Sequence, residues 1–199
     1  MPAATWLFAR MWLLWLMAPA FANPAHASVA TASTAMPPEV RALGDTAQLQ
    51  GGTRFRYWGF LAYDIQLWAL PAFDAQQFTR RPLALSITYA RSIALQDLVE
   101  RSLKEIERQG PIAPTERQAW AQVLTRAWRD VRPGDRITGV YQPPQRLQFY
   151  LNGQLTGTVD EALLAPKFIA IWLGPQTSQP GLREALLGMG PQGGVVHGW

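Results

Sequence analysis

Residues 49–70 read LQGGTRFRYWGFLAYDIQLWAL, and this stretch decides the fold. Aromatic and apolar residues alternate with polar ones along it, the period of two that marks strands with unlike faces. Gly59 interrupts the alternation. A two-residue turn at Trp58-Gly59 pairs Tyr57 with Phe60, Arg56 with Leu61, Phe55 with Ala62 and Arg54 with Tyr63. In that register one face carries Arg54, Arg56, Leu61, Tyr63, Ile65 and Leu67. The other carries Phe55, Tyr57, Phe60, Ala62, Asp64 and Gln66. The first face is the more apolar along the second strand and is expected to point inward. Trp-Gly is not among the favoured hairpin dipeptides.

Outward from this hairpin the chain reads as strands, then helices, then strands. Residues 83–89 (LALSITY) form a further short strand. In residues 94–109, Leu95, Leu98, Val99, Leu103 and Ile106 make one apolar stripe, with Glu100, Arg101, Lys104, Glu105 and Arg108 filling the rest. Gly110-Pro111 ends that helix. The next begins with Thr115 and Gln118 in capping-box positions and carries Trp120, Val123, Leu124, Ala127 and Trp128 at helical spacing. Asn152-Gly153 is a favoured type I′ turn, joining strands at residues 146–151 and 154–159. Residues 161–173 form a third helix, in which Pro166 marks either a kink or the first turn. Residues 182–187 form a short last helix. No internal repeat is evident. Segregated strands and helices predict an α+β fold, an antiparallel sheet with helices packed on one face.

The 199 residues suit one domain, by a soft prior of roughly 150 residues each. Residues 1–22 place Arg10 before a short apolar run that ends in Pro19 and Ala20-Phe21-Ala22, the order of a secretory signal. The run is shorter than the ~20 apolar residues that span a bilayer. A second cleavage point is Ala25-His26-Ala27, and an uncleaved membrane anchor is the alternative reading. Export to the periplasm is expected, with no stable membrane span after cleavage. Residues 23–48 read as a flexible lead-in, 49–188 as the domain, and 189–199 as a flexible tail. Without the leader the charge is +3, and no basic run forms a nucleic-acid stripe. The chain has no Cys, so it has neither disulfides nor thiolate metal sites. Its two histidines, His26 and His197, fall in the lead-in and the tail, which argues against a nucleophilic triad. No phosphate loop is present, and no metal or cofactor is expected.

Arg54 and Tyr63 remain as candidate site residues. In the proposed register they face each other about 5 Å apart. A guanidinium fork beside a phenol is a good carboxylate clamp, and an inward Arg needs an anion because a buried unpaired charge is costly. The competing reading has Arg54 reaching solvent or pairing with Asp64, while Tyr63 simply packs. Arg56 is a rival for the same role.

The stretch at residues 49–70 resembles the opening of chalcone isomerase-like domains. Later pieces follow in the same order: YARS (89–92), PGDRITGVY (133–141), LQFYLNGQLTG (147–157), FIAIWLG (168–174) and LREALLG (182–188). The chain is most similar to the exported bacterial branch of that family. The resemblance implies an open-faced β-sandwich, a long antiparallel sheet under a helical layer with a ligand cleft between them. The family includes chalcone–flavanone isomerases, plastid fatty-acid-binding proteins and members without known activity. Of the isomerase site residues only the Arg is matched, by Arg54. Tyr63 takes the Thr position, Leu95 and Ser102 lie near the Tyr and Asn positions, and Ala165-Pro166 near the Ser/Thr position. That weakens the case for chalcone cyclisation.

Three readings follow. The first is a non-catalytic binder of a small amphipathic acid such as a fatty acid, held by Arg54 and Tyr63. The fatty-acid-binding members use an Arg and a Tyr in this way. The second is an isomerase, an intramolecular lyase of the chalcone isomerase type, with the same two residues catalytic. The third is an envelope interaction module without a small ligand.

Overall fold

The computed structural model describes residues 35–190 and 195–198, so the leader and His26 lie outside the described residues. Seven strands form one sheet, in the order β6-β5-β4-β3-β2-β1-β7. In chain order they are β1 (Gln48–Tyr57), β2 (Phe60–Ala69), β3 (Leu83–Tyr89), β4 (Arg136–Gln142), β5 (Arg146–Leu151), β6 (Gln154–Asp160) and β7 (Val195–Gly198). Neighbours run antiparallel, except that β7 lies parallel to β1. Among the described residues there are four α-helices, α1 (Leu95–Glu107), α2 (Pro114–Ala127), α3 (Leu164–Leu173) and α4 (Pro180–Leu186). The result is the α+β architecture that the sequence predicts.

The main core lies between the sheet and the helices. Leu83, Leu85 and Ile87 of β3, Tyr141 of β4 and Phe149 of β5 point into it, and Val99, Leu103, Ile106, Trp120, Leu124 and Ile169 close it from the helices. Fully burying each such side chain stabilises the fold by about 1.5–3 kcal/mol. Trp128, Phe149 and Phe168 pack with ring centroids 5.2–5.7 Å apart, so the C-terminal tryptophan of the α2 region is core, as its spacing indicates.

Several local expectations are corrected. Helix α2 starts one residue before Thr115, with Pro114 in its first turn and no side-chain cap, so the Thr115–Gln118 capping box is not formed. Proline's locked φ already suits that position. Strand β4 carries no two-sided alternation, because its residues are buried on both faces. Its period was therefore silent in the sequence.

The lead-in is also not uniformly loose. Residues Pro38–Leu43 form a 3-10 helix against the sheet face opposite the α-helices. There Val40 and Leu43 join Trp68, Ala84 and Val140 in a second, smaller apolar cluster. Glu39 is buried with them. It accepts a hydrogen bond from Thr138 Oγ1 at 2.6 Å and pairs with Arg136 at 3.3 Å, which offsets the cost of burying its charge. In the tail, residues 195–198 add β7 to the sheet edge, with the His197 backbone opposite Arg56. Edge pairing depends on backbone groups, which leave little trace in composition.

Two glycines mark where helices press onto the sheet. A Cβ on Gly157 would stand 2.6 Å from Ala127 of α2, and one on Gly51 would meet the Ala185 and Leu186 carbonyls of α4, the latter at 2.6 Å. We expect Gly51→Ala to cost about 1–3 kcal/mol, since backbone atoms cannot yield cheaply. This is a fall in Tm of roughly 3–10 °C. Gly181→Ala, where the nearest atom is a Val196 methyl at 3.7 Å, serves as the neutral control in the same melting experiment. Equal Tm values for the two variants count against the close contact.

Candidate functional site

The turn of the β1–β2 hairpin is the one expected. Trp58 and Gly59 both take positive φ, 51° and 79°, and Tyr57 pairs with Phe60 and Arg56 with Leu61. The register then slips. Phe55 faces Tyr63 and Arg54 faces Asp64, which leaves Ala62 as an extra residue in β2. A slip of one residue reverses which side chains share a face. Of the β2 half of the expected inward face, Tyr63, Ile65 and Leu67 lie toward the helices, while Leu61, opposite Arg56, does not, and the β1 half is inverted. Phe55 points inward, and Arg54 and Arg56 do not.

Arg54 and Tyr63 are consequently not brought together. Arg54 Nε lies 3.3 Å from Asp64 Oδ1, the competing pairing noted from sequence. Burial raises the Asp64 carboxyl above its ordinary range, and the Arg54 guanidinium draws it partly back. Tyr63 instead stacks on Phe55, centroids 4.9 Å apart at 16°. Its ring also meets Trp172 edge-on at 5.9 Å and Tyr89 at 6.3 Å. These four rings come from β1, β2, β3 and α3, and they form one aromatic wall.

That wall lines a cleft of about 400 Å³ between the end of the sheet and helices α1 and α3. The size is in the range of small-molecule sites. Ala62, Ile93, Leu98 and Ile171 extend the apolar lining. Arg91, Asp97, Arg101 and Glu105 stand around it, with the loop at residues 177–179 on the far side. Among the described residues neither Arg91 nor Arg101 makes an ion pair. Arg101 is near enough to Tyr63 to act on its titration. Ser102 also lines the cleft, but its hydroxyl donates to the Leu98 carbonyl at 2.9 Å. Leu95 is half-buried against the core, and Ala165 is fully buried within α3.

The helix that carries Leu98 and Arg101 is set from a distance. Its N-cap, Ala94, offers no side-chain acceptor, and Asp130 Oδ1 accepts from Leu95 N at 2.8 Å instead. Ile93 and Val131 exchange two backbone hydrogen bonds of 3.0 Å beside it. Sequence reasoning placed Arg101 among the solvated residues of this helix and passed over Arg91. Periodicity cannot separate a cleft rim from an ordinary wet face, because both are polar at the same spacing.

Residues 28–188 match the chalcone isomerase-like family, and the chain belongs to that family. A Haemophilus influenzae protein described as uncharacterized is 28% identical over 138 residues, which span 69% of this chain and 66% of that protein, just under two thirds of its length. Among solved structures, a fatty-acid binding protein of Arabidopsis thaliana aligns with a TM-score of 0.56 at 13% identity, covering 77% of this chain and 95% of that one. At such low identity the likeness is one of fold.

Burial pushes the phenols of Tyr63 and Tyr89 well above the usual tyrosine range. For Tyr63 the nearby Tyr89 and Glu105 add to this, and Arg101 opposes it. The folded protein thus keeps two protons that the unfolded chain releases near pH 10. Their contribution to stability is complete below about pH 10 and is lost as the pH rises beyond it. Thermal melts across that range should show Tm falling, with a shallower fall in the Tyr63→Phe/Tyr89→Phe double variant. Identical slopes in the two proteins contradict the assignment.

Proposed function

We propose that the cleft binds a small amphipathic acid, such as a fatty acid, without transforming it. The observation that carries this reading is an aromatic-walled cavity with two cations that have no ion-pair partner among the described residues, Arg91 and Arg101. The apolar tail packs on Phe55, Tyr63, Leu98 and Trp172, and the carboxylate meets Arg101 with Arg91 behind it. Charge-assisted hydrogen bonds to a guanidinium suit this head group. Arg101 takes the role that the sequence assigned to Arg54, and Tyr63 keeps a part in it as a wall. The fold shared with a plant fatty-acid binding protein supports the same reading. We further propose that the protein acts after export, on the strength of the signal-like residues 1–22. Among the described residues no helix is long and apolar enough to cross a membrane.

Titration with a dansyl-labelled fatty acid tests the site. Leu98→Trp, which fills the cleft, should abolish binding while Tm stays close to wild type. Arg101→Gln should weaken binding roughly tenfold or more, the scale of one charge-assisted hydrogen bond. Arg54→Ala should leave the affinity within about twofold, as expected for a substitution away from the site. Undiminished binding by Leu98→Trp removes the cleft from consideration.

A further inference from the structure

The β1–β2 hairpin ends in three aromatic rings that water reaches freely. Trp58 is 76% exposed, Phe60 62% and Tyr57 42%. Large rings left in water forgo their burial energy, and a cluster of them marks a surface that something covers. The tip is also held in place. Arg56 Nη1 donates to the Gly59 carbonyl at 2.9 Å, across the turn formed by the two positive-φ residues. The Arg91 guanidinium lies over the Phe60 ring, 5.1 Å from its centroid. The rings are therefore presented outward by a braced turn with two cations at its base. Residues 51–63 and 82–96 contain no acidic residue, and Asp64, the next along β2, is paired with Arg54, so the cations nearest the rings are Arg56 and Arg91.

We propose that this tip docks on the surface of an anionic lipid bilayer, its rings entering the boundary between head groups and acyl chains. Tryptophan and tyrosine favour that boundary because their rings are apolar and their N–H and O–H groups remain wet. Arg56 and Arg91 complement negatively charged head groups. A two-residue turn offers far less area than the ~800 Å² per partner of a specific protein complex. It is a convex wedge, and shallow insertion into lipid requires no more. Tyr57 and Arg91 also line the cleft, so docking brings the cleft mouth to the lipid surface, where amphipathic acids partition. The docking rests on the tip alone and holds whatever the cleft carries.

The test uses protein recovered from cells expressing all 199 residues. It is mixed with vesicles of phosphatidylcholine alone, or of phosphatidylcholine with phosphatidylglycerol, and the bound fraction is read by co-sedimentation. Wild type should favour the anionic vesicles. Trp58→Ala/Phe60→Ala should lower the bound fraction roughly tenfold, and Arg56→Gln/Arg91→Gln should erase the preference for anionic lipid. Trp58→Phe, which conserves bulk and fold, should still bind but lose much of the fluorescence quenching by brominated acyl chains. That quenching reads the tip itself, so other lipid-seeking segments do not mask it. Dansyl fatty acid binding without vesicles should be the same in wild type, Trp58→Ala/Phe60→Ala and Trp58→Phe, whose residues lie outside the cleft lining, which separates this proposal from that of the cleft. Unchanged vesicle binding in Trp58→Ala/Phe60→Ala together with unchanged quenching in Trp58→Phe overturns the docking. So does a result in which the tip variants lose self-association in sedimentation velocity but keep their vesicle binding, since the tip is then a protein contact.

Discussion

Ala62 is one residue too many for the β1–β2 ladder, and the site depends on how the sheet accommodates it. Beyond the bulge every β1 side chain is turned over relative to a plain hairpin. Phe55 comes to the helical side and finds Tyr63 opposite it, so the stacked pair exists only because of the extra residue. The same turn sends Arg54 away from the cleft and onto Asp64. The Ala62 carbonyl points to the other neighbour of β2, in continuation of the β2–β3 register. It accepts from Ala90 N at 3.0 Å, which ties the bulge to the segment that leads into α1.

From there the helical layer follows. The Ile93–Val131 bridge and the Asp130 cap fix where α1 begins, and Arg117 reaches from α2 to both Glu100 and Glu107 at 2.6 and 2.7 Å. These ion pairs are exposed and individually weak, but together they hold two helices at one angle. Toward β5 and β6 the layer closes fully on the sheet, where Trp128, Phe149 and Phe168 fill the space. Toward the β1–β2 end rigid rings line the gap from both sides, and stiff walls leave a cleft where flexible side chains would have collapsed into it.

The sheet face away from the α-helices shows the same economy on a smaller scale. A single 3-10 turn covers Trp68, Ala84 and Val140, and the carboxylate it carries inward, Glu39, is matched by Thr138 and Arg136. Part of this face is thus a true interior, which explains why β4 is buried along most of its length.

Much of the fold was legible in the residues. Alternation located β2, β3 and β5, apolar stripes located α1 and α2, and Asn152-Gly153 specified its turn, because each of these signals is local and repeats within a few residues. The hairpin turn and its first two pairs were legible for the same reason. The family resemblance pointed to a cleft between sheet and helices. The residues that line that cleft were mostly hidden. A bulge has no composition of its own, so nothing in GFLAYD announces that Ala62 is left over, and the choice of Arg54 fell with the register. Arg101 and Arg91 look like any solvated cations until α1 is laid beside Tyr63. The sequence determined the kinds of element and their order, through periodicities that a single segment carries. Only the tertiary structure decided which arginine meets which tyrosine, because that depends on one unpaired residue and on the helix–sheet packing around it.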